Sequence, residues 1–343
     1  MISDNVLRFA IPSDGELHTS TMEFLDSCGL AVDRPNRRQY TATIRSLPNV
    51  QILFQRASDI PHNIADGSAD LGIVGHDRFS EETEPSDSSA IVIPDLGYGQ
   101  AQLVTAVPTS WIDVNDMIDL ADLDAEFRAN NRTLRIATKY PKLVSQYLYE
   151  KGLRYFSLVQ ASGALEAAPI IGYADVIVDI SSTGTTLREN HLKPIGDGVV
   201  FSSAACLVTN NVRIGIGNNG SDSLNSAVRL IVDNIRGYLS AKNVYIVTAH
   251  IYQDDLDIEN DQNYDRLQRF GPLTFSSLRG EQGSIGMAIT ITANKMLLRE
   301  VVQEFRKMNA TAMNVTEPKY LFESFSGSGE FPGSNMAGSD NIA

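Results

Sequence analysis

A run of serine, threonine and glycine follows an acidic residue near the middle of the chain. Asp179 ends an apolar segment, and a short distance after it stand Ser182, Thr183, Gly184, Thr185 and Thr186. A turn of this composition can direct several backbone N–H groups and hydroxyls at one point, which suits a phosphate. An acid at the carboxyl end of a strand can hold the two hydroxyls of a ribose, because ligands of open α/β sheets collect at that edge. The alternative is a helix N-cap in a tight turn, a common use of serine and threonine.

Composition limits the partners that such a site can serve. The chain has 343 residues and a formal net charge of −14. Nucleic acids need a positive surface, so they are not expected as partners, whereas a small polyanion could still bind through local N–H groups, a few Arg or Lys side chains and Mg²⁺. Cys28 and Cys206 lie far apart without metal-ligand spacing, so no zinc site is predicted. No export signal or long apolar run is present, and we expect a cytoplasmic protein without a membrane contact.

The segments before residue 104 alternate between predicted strands and helices. Strands are predicted at residues 7–11, 50–54 and 71–75, a helix at 18–28, and a second helix through Asp66 that Asp59 is placed to cap. This alternation predicts a mainly parallel sheet that is covered on both sides.

A second α/β unit follows. Strands are predicted at residues 134–138, 156–159 and 176–179, with helices at 144–151 and 163–171. Residues 102–107 lead into this unit, and the apolar segment 203–208 is placed to return the chain to the first one. We therefore predict two lobes, lobe I from residues 1–104 and 198–212 and lobe II from residues 105–197.

The remainder of the chain begins with an amphipathic linking helix at residues 222–239. Strands at 244–251, 273–278, 285–292 and 312–315, with helices near 254–270 and 295–307, then give the β-α-β-β-α-β order of a ferredoxin-like unit. We assign residues 213–323 to the linking helix and this unit. Residues 324–343, rich in glycine, serine and asparagine, are predicted to be a disordered tail.

The segment around Asp179 resembles the signature of the ATP phosphoribosyltransferases. Its matching positions, at the expected spacing, are Glu166, Gly172, Ala174, Ile177, Asp179, Thr183, Gly184, Thr186 and Leu187. Residues 59–61, 69–73, 96–99 and 137–141 are similar as well. The ordered resemblance runs from about residue 7 to residue 208, and the C-terminal unit looks like the ACT-like regulatory domain of the long, histidine-regulated form.

The resemblance implies an α/β fold with a two-lobed catalytic core of the periplasmic-binding-protein type, plus a ferredoxin-like (ACT-like) α+β domain. It implies the first step of histidine biosynthesis, in which N1 of ATP displaces pyrophosphate from C1 of phosphoribosyl pyrophosphate. Residues 182–186 would hold the 5-phosphate, and Asp179 and Glu166 would supply negative charge beside the ribose. Mg²⁺, held mainly by the substrate, would neutralise the pyrophosphate.

Lys139, which follows a predicted strand, is a candidate for binding the pyrophosphate or an ATP phosphate, and Tyr140, Asp70 and Gly15 are further candidate substrate contacts. Plainer roles compete with several of these assignments. Glu166 can be a solvated helix charge, Asp70 can cap or pair at the start of a strand, and Lys139 can be an ordinary exposed lysine.

Three positive charges that the family usually carries are absent. Residues 14–17 read Asp-Gly-Glu-Leu where a Lys-Gly-Arg-Leu turn is expected, and Ala101 and Gln102 stand where a Cys-Arg pair is common. Each like charge beside a polyphosphate costs on the order of 1 kcal/mol. Either Lys139, Arg56 or Mg²⁺ compensates, or activity is weakened.

The resemblance also implies feedback inhibition by L-histidine through the C-terminal unit, and a homo-oligomer such as a dimer or hexamer. Candidates for the inhibitor contacts are Thr248, His250, Ser276 and Ser277, which lie near predicted strand ends. The main alternative is a catalytically silent two-lobed subunit that senses histidine or a nucleotide. The missing basic residues favour it, and the intact loop after Asp179 opposes it.

Overall fold

The protein is described by a computed structural model. The described residues are 6–36, 38–84, 88–160, 165–181, 184–214, 222–252, 262–279 and 285–322. The predicted tail at 324–343 and the predicted site residues Ser182 and Thr183 lie outside them. The described residues form two compact units, of which the second contains residues 27–29 and the described residues between 229 and 322.

Lobe I of the first unit is a seven-stranded sheet. Its strands are β1 (Leu7–Pro12), β2 (Val32–Asp33), β3 (Thr41–Ile44), β4 (Leu47–Gln55), β5 (Leu71–Gly75), β6 (Ser89–Ile93) and, much later in the chain, β12 (Ala205–Asn210). They lie in the order β2-β3-β4-β1-β5-β12-β6, with β1 parallel to both β4 and β5. The helices of this lobe are α1 (Gly15–Ser27), α2 (Ile60–Ala65) and α3 (His76–Glu82). Consecutive strand residues are buried, as expected for a sheet covered on both faces.

Lobe II is a five-stranded sheet in the same unit. Its strands are β7 (Ala101–Pro108), β8 (Leu134–Thr138), β9 (Phe156–Gln160), β10 (Val176–Ser181) and β11 (Leu192–Ser203), in the order β11-β7-β10-β8-β9. Its helices are α4 (Met117–Ala129), α5 (Pro141–Glu150) and α6 (Thr185–Glu189). Because β8 and β10 are parallel neighbours, with Thr138 opposite Val178, their carboxyl ends lie side by side.

The chain passes between the two sheets twice. It leaves lobe I after β6 and returns after β11 through Ala204, and β12 then lies between β5 and β6. The two crossing segments are hydrogen-bonded, because Ala205 donates to the Tyr98 carbonyl at 3.0 Å and Leu96 donates to the Ala205 carbonyl at 2.9 Å. The lobes are therefore joined by two adjacent segments of the chain that are hydrogen-bonded to each other.

Two local predictions are wrong. Within the described residues, the helix predicted at 163–171 is a single 3-10 turn, Leu165–Ala167. Pro169 lacks a backbone N–H, and Gly172 adopts a φ of +70°, so a regular helix does not continue here. Asp59 occupies the N-cap position of α2, but its side chain makes no capping hydrogen bond.

The second unit has a four-stranded antiparallel sheet. After α7 (Asn211–Ile214) and α8 (Asp222–Lys242) come β13 (Val244–Ile251), α9 (Gln262–Gln268), β14 (Leu273–Arg279), β15 (Ile285–Asn294), α10 (Leu298–Lys307) and β16 (Ala312–Thr316). The strand order is β14-β15-β13-β16. The predicted fold class, two α/β lobes of the periplasmic-binding-protein type with a ferredoxin-like α+β domain, is confirmed. No helix in the described part of the chain is long and apolar enough to cross a membrane.

Candidate active site

A pocket lies at the carboxyl end of β10. It measures about 370 Å³, part of it open solvent, and is lined by Glu166, Asp179, Ile180, Ser181, Gly184, Thr185, Thr186 and Leu187. Both predicted acids and three residues of the predicted phosphate loop therefore share one pocket. Its position at the carboxyl end of a parallel strand is where ligands of open α/β sheets bind.

The described part of the loop is built around Gly184. This residue has a φ of +69°, a conformation in which any other residue would be strained, and it occupies the N-cap position of α6. Its N–H donates to the Ser181 hydroxyl at 3.0 Å, so two residues that line the pocket are hydrogen-bonded to each other. Thr185 and Thr186 are the first residues of α6 and are exposed. This arrangement suits an anion.

The two acids of the pocket differ in their surroundings. Asp179 is half-buried on β10, and its Oδ1 accepts a hydrogen bond from the Ile180 N–H at 2.8 Å. Burial raises the pKa of Asp179 above its usual value, and the charge of Glu166 raises it further, against the opposing effects of the Ile180 N–H, Lys139 and Arg78. Glu166 lies in the 3-10 turn. The two carboxylates therefore place negative charge in the pocket, which would stabilise a positively charged group bound there.

Lys139 and Tyr140 follow β8, next to Asp179, but their surroundings differ. Lys139 is half-buried, and its ammonium has no hydrogen-bond or ion-pair partner within the described residues. Tyr140 is 4% exposed, and its hydroxyl donates to Asp77 Oδ2 at 2.6 Å. Burial, together with Asp77, raises the pKa of Tyr140, which keeps this hydroxyl protonated as a donor. Tyr140 thus contacts the other lobe and does not line the pocket.

Contacts between α3 of lobe I and α5 of lobe II were not predicted. Asp77 on α3 accepts hydrogen bonds from Tyr140 and from the Ser203 hydroxyl, the latter at 2.6 Å. Glu81 on α3 accepts from the N–H groups of Lys142 and Leu143 at 2.9 and 3.0 Å, so a residue of lobe I caps α5. One sequence signal was available: α5 starts at a proline with tyrosine at its N-cap position, and such a start needs an acceptor from elsewhere.

The Tyr140–Asp77 bond should stabilise the first unit. We expect Tyr140→Phe to lower the free energy of unfolding by about 1–3 kcal/mol, because a buried carboxylate loses a hydrogen-bond donor. Thermal unfolding measures the loss, with Tyr149→Phe, at an exposed tyrosine of α5, as the matched control. Equal melting temperatures for the two variants would contradict this role for Tyr140.

Asp70 and Gly15 lie elsewhere in lobe I. Asp70 immediately precedes β5, is fully buried, and accepts hydrogen bonds from the Arg8 backbone and guanidinium, including Arg8 Nη2 at 3.1 Å. It is thus at the amino ends of β1 and β5, away from the edge where ligands collect. Gly15 starts α1 with a φ of +75° and is exposed, as are its neighbours Asp14 and Glu16. The structure does not bring either predicted residue into the pocket.

The predicted regulatory residues lie on two faces of the sheet in the second unit. Ser276 and His250 both pair with Ala288, and Thr248 pairs with Thr290, whose hydroxyl is 2.9 Å from its own. These residues therefore share one face, opposite the face that buries Val247, Ala249 and Ile289. Ser277 pairs with Met287 and belongs to the other face.

The described residues contain no group of three or more His, Cys, Asp or Glu side chains arranged to hold a metal ion. The pocket offers two carboxylates, those of Asp179 and Glu166. Magnesium keeps several waters and is commonly bound by one or two carboxylates together with substrate phosphates. The donors present fit an ion that is carried by a phosphorylated substrate.

Comparison with known proteins places this geometry in a family. Residues 56–237 match the family model described as HisG: ATP phosphoribosyltransferase. The ATP phosphoribosyltransferase of Mesorhizobium japonicum is 47% identical over 206 residues, which cover 59% of this chain and 89% of that protein. That of Bradyrhizobium sp. (strain ORS 278) is 40% identical over 231 residues, covering 67% of this chain and 70% of that protein.

A solved structure shares the fold. The ATP phosphoribosyl transferase (HisG:HisZ) complex from Thermotoga maritima matches with a TM-score of 0.50 and 24% identity, over 67% of this chain and 98% of that chain. The family model covers more than half of the present chain and includes the whole pocket. This chain belongs to the ATP phosphoribosyltransferase family.

Proposed function

We propose that this chain is an ATP phosphoribosyltransferase of histidine biosynthesis, joining ATP to phosphoribosyl pyrophosphate with release of pyrophosphate. The observation that carries the proposal is the pocket at the carboxyl end of β10, in which Asp179 and Glu166 face the same space as the start of α6. The proposal includes a cytoplasmic location, because the cytoplasm supplies the ATP that this reaction consumes. A homo-oligomer is part of it as well.

The chemistry assigned to the pocket is electrostatic. When N1 of adenine displaces pyrophosphate from C1, the C1–O bond breaks, an N–C bond forms and positive charge develops on the sugar. The carboxylates of Asp179 and Glu166 would stabilise that charge, and Gly184, Thr185 and Thr186 would hold the 5-phosphate. Positioning both substrates supplies much of the remaining rate, and no protein nucleophile is required. Mg²⁺, bound mainly through the substrate, would neutralise the departing pyrophosphate.

The direct test is product formation. The purified chain is incubated with ATP, phosphoribosyl pyrophosphate, Mg²⁺ and pyrophosphatase, and the ultraviolet absorbance of phosphoribosyl-ATP is followed. We expect product that depends on both substrates. A silent subunit would bind both substrates by calorimetry and form no product, an outcome that the intact acids and loop disfavour.

The proposal includes inhibition by L-histidine at the second unit, whose strands begin after the last residue matched by the family model. Its support is the face that carries Thr248 and His250 of β13 and, beyond the intervening strand β15, Ser276 of β14. Their hydroxyl and imidazole groups can hydrogen-bond the carboxylate and imidazole of a free amino acid. Inhibition additionally requires two states of the protein with different affinity for histidine.

Two adjacent serines on β14 test this face. Ser276→Ala should raise the histidine concentration for half-inhibition roughly 3- to 10-fold, the effect of one lost hydrogen bond. Ser277→Ala, an equally exposed change on the opposite face, is the matched control and should leave inhibition unchanged. Both variants should keep the uninhibited rate. Equal shifts in the two variants would refute this placement of the inhibitor.

A further inference from the structure

The positive charges missing from the sequence leave a definite gap in the structure. Asp14 and Glu16, where the family resemblance leads one to expect basic residues, are exposed at the start of α1. Gln102, in place of an expected arginine, pairs with Ser181 across β7 and β10, one strand from the pocket. A pyrophosphate group bound beside Asp179 would therefore lack cations from these positions.

Arg78 brings a cation to this region from the opposite lobe. It lies on α3 of lobe I, and its guanidinium carbon is 4.4 Å from the centroid of the Tyr140 ring in lobe II. Its Nη1 also lies 3.5 Å from the Lys139 carbonyl oxygen. The side chain is thus held against the segment that follows β8, where Lys139 is located. Because β8 and β10 are neighbouring parallel strands, this segment adjoins Asp179.

The guanidinium is poorly satisfied where it lies. Its polar contacts both use Nη1 and are long, at 3.5 Å to the Lys139 carbonyl and 3.7 Å to the half-exposed Glu82 carboxylate. Within the described part of the chain, Nε and Nη2 have no hydrogen-bond partner. A guanidinium has five N–H donors, and its side chain here is only 24% exposed. The unused donors of Arg78 are not enclosed, so solvent or an anion can reach them.

We infer that Arg78, together with Lys139, binds the pyrophosphate group of phosphoribosyl pyrophosphate and replaces the basic residues that this chain lacks. The inference rests on the proposed function. In that substrate the 5-phosphate and the pyrophosphate are at opposite ends of the ribose. With the 5-phosphate on the loop after β10 and the ribose at Asp179, we assign the pyrophosphate to the β8 side, where Lys139 and Arg78 meet, because the β7 side carries Gln102 in place of a cation. The opposing effects of Lys139 and Arg78 on the pKa of Asp179 agree with this proximity.

The geometry also explains why the residue is an arginine. A planar guanidinium can stack on an aromatic ring and still present two parallel N–H groups to a phosphate, which an ammonium cannot do. The Tyr140 ring is fixed in turn by its hydroxyl bond to Asp77 at 2.6 Å. The contact between the lobes therefore sets the direction in which Arg78 points.

Two substitutions test the assignment. Arg78→Met removes the charge and keeps an unbranched side chain that can pack on Tyr140, whereas Arg78→Lys keeps the charge without the planar donors. We expect Arg78→Met to raise the KM for phosphoribosyl pyrophosphate and the inhibition constant of inorganic pyrophosphate on the order of 10- to 100-fold, with Arg78→Lys intermediate. The KM for ATP should change less than about 2-fold, because that substrate lies outside the predicted contact.

The control is Arg45→Met, which removes an 85% exposed arginine of lobe I that pairs with Asp33 at 3.5 Å. It should leave all three constants unchanged. An active wild-type protein with an unchanged KM for phosphoribosyl pyrophosphate in Arg78→Met would overturn the inference. A rise confined to the KM for ATP would also overturn it, since Arg78 would then serve the triphosphate.

Direct binding separates this inference from the proposed function. Calorimetric titration of the wild type and of Arg78→Met with magnesium pyrophosphate needs no turnover. If the wild type forms no phosphoribosyl-ATP, the proposed function fails, and the titration still decides the role of Arg78. Binding of magnesium pyrophosphate that is weaker in Arg78→Met than in the wild type supports the inference, and equal binding in both proteins refutes it.

Discussion

Replacing Asp179 with asparagine should lower kcat on the order of 100-fold or more without disturbing the fold. The reaction develops positive charge on the sugar, and the substitution removes a negative charge from the pocket while keeping nearly the same shape. Asparagine retains an oxygen that can accept the Ile180 N–H, which Asp179 now accepts at 2.8 Å. Steady-state kinetics with saturating substrates measures the loss. Glu189→Gln, an exposed acid of α6 outside the pocket lining, is the control.

The same substitution, Asp179→Asn, should not lower the stability of the fold at neutral pH, although it lowers kcat. Burial and Glu166 raise the pKa of Asp179 above its usual value. A carboxyl whose pKa is higher in the folded than in the unfolded protein makes the fold less stable once pH rises above the unfolded pKa. Asp179→Asn should therefore melt at the same or a higher temperature than the wild type at neutral pH, and this difference should vanish in acid. A variant that loses activity and melting temperature together would point to a structural role for Asp179.

The pH dependence of kcat/KM provides a third test of the role of Asp179. If ionised Asp179 is needed, activity falls as pH is lowered through its raised pKa, so the acidic limb of kcat/KM lies above the usual aspartate range. That limb should be absent from the residual activity of Asp179→Asn. An identical limb in the variant would assign it to another group.

The lobes were predictable because burial on both sides of a parallel sheet leaves continuous apolar runs in the sequence. Residues 71–75 and 176–178 are such runs, and each became a central strand. The C-terminal unit was predictable for a different reason, since β15 from Ile289 to Ala293 alternates between buried and less buried residues as an antiparallel strand does. Local periodicity was enough in both cases.

The contact between Asp77 and Tyr140 left no comparable signal. Asp77 and Tyr140 are 63 residues apart, as each belongs to a different lobe. Nothing in the local pattern of either residue specifies the other, so the sequence could not assign Tyr140 to the lobe interface or direct Arg78 toward Lys139. The geometry between the lobes has to be observed.

One long-range pairing did leave a signal, because it occurs twice. Gly67-Ser68-Ala69-Asp70 precedes β5, and Gly172-Tyr173-Ala174-Asp175 precedes β10. In lobe I the aspartate accepts from Arg8 of β1, and in lobe II the equivalent aspartate accepts from Arg135 of β8. Each guanidinium also donates to the carbonyl of the motif's glycine, at 2.6 Å in lobe I and 2.8 Å in lobe II. In both lobes, the same arginine–aspartate pair connects the amino ends of two parallel strands.

Because burial differs between the two copies, the same substitution should have unequal effects. Asp70 and Arg8 have side chains that are 0% and 14% exposed, whereas Asp175 and Arg135 are 12% and 41% exposed. Removing one partner of a buried pair leaves a charge that water cannot reach, so Asp70→Asn should cost about 3–5 kcal/mol of unfolding free energy. Asp175→Asn should cost only about 1 kcal/mol, since water can solvate Arg135. Urea unfolding of both variants measures the difference.

Two controls separate the pair's contribution to folding from a role in substrate binding. The double variant Arg8→Met with Asp70→Leu removes both charges and should regain much of the stability that Asp70→Asn loses, because no buried charge is left unpaired. Neither Asp70→Asn nor Asp175→Asn should change the KM of either substrate, since both residues lie at the amino ends of their strands. Equal losses of stability would contradict the dependence on burial. A raised KM in a fully stable Asp70→Asn would instead return Asp70 to the substrate site.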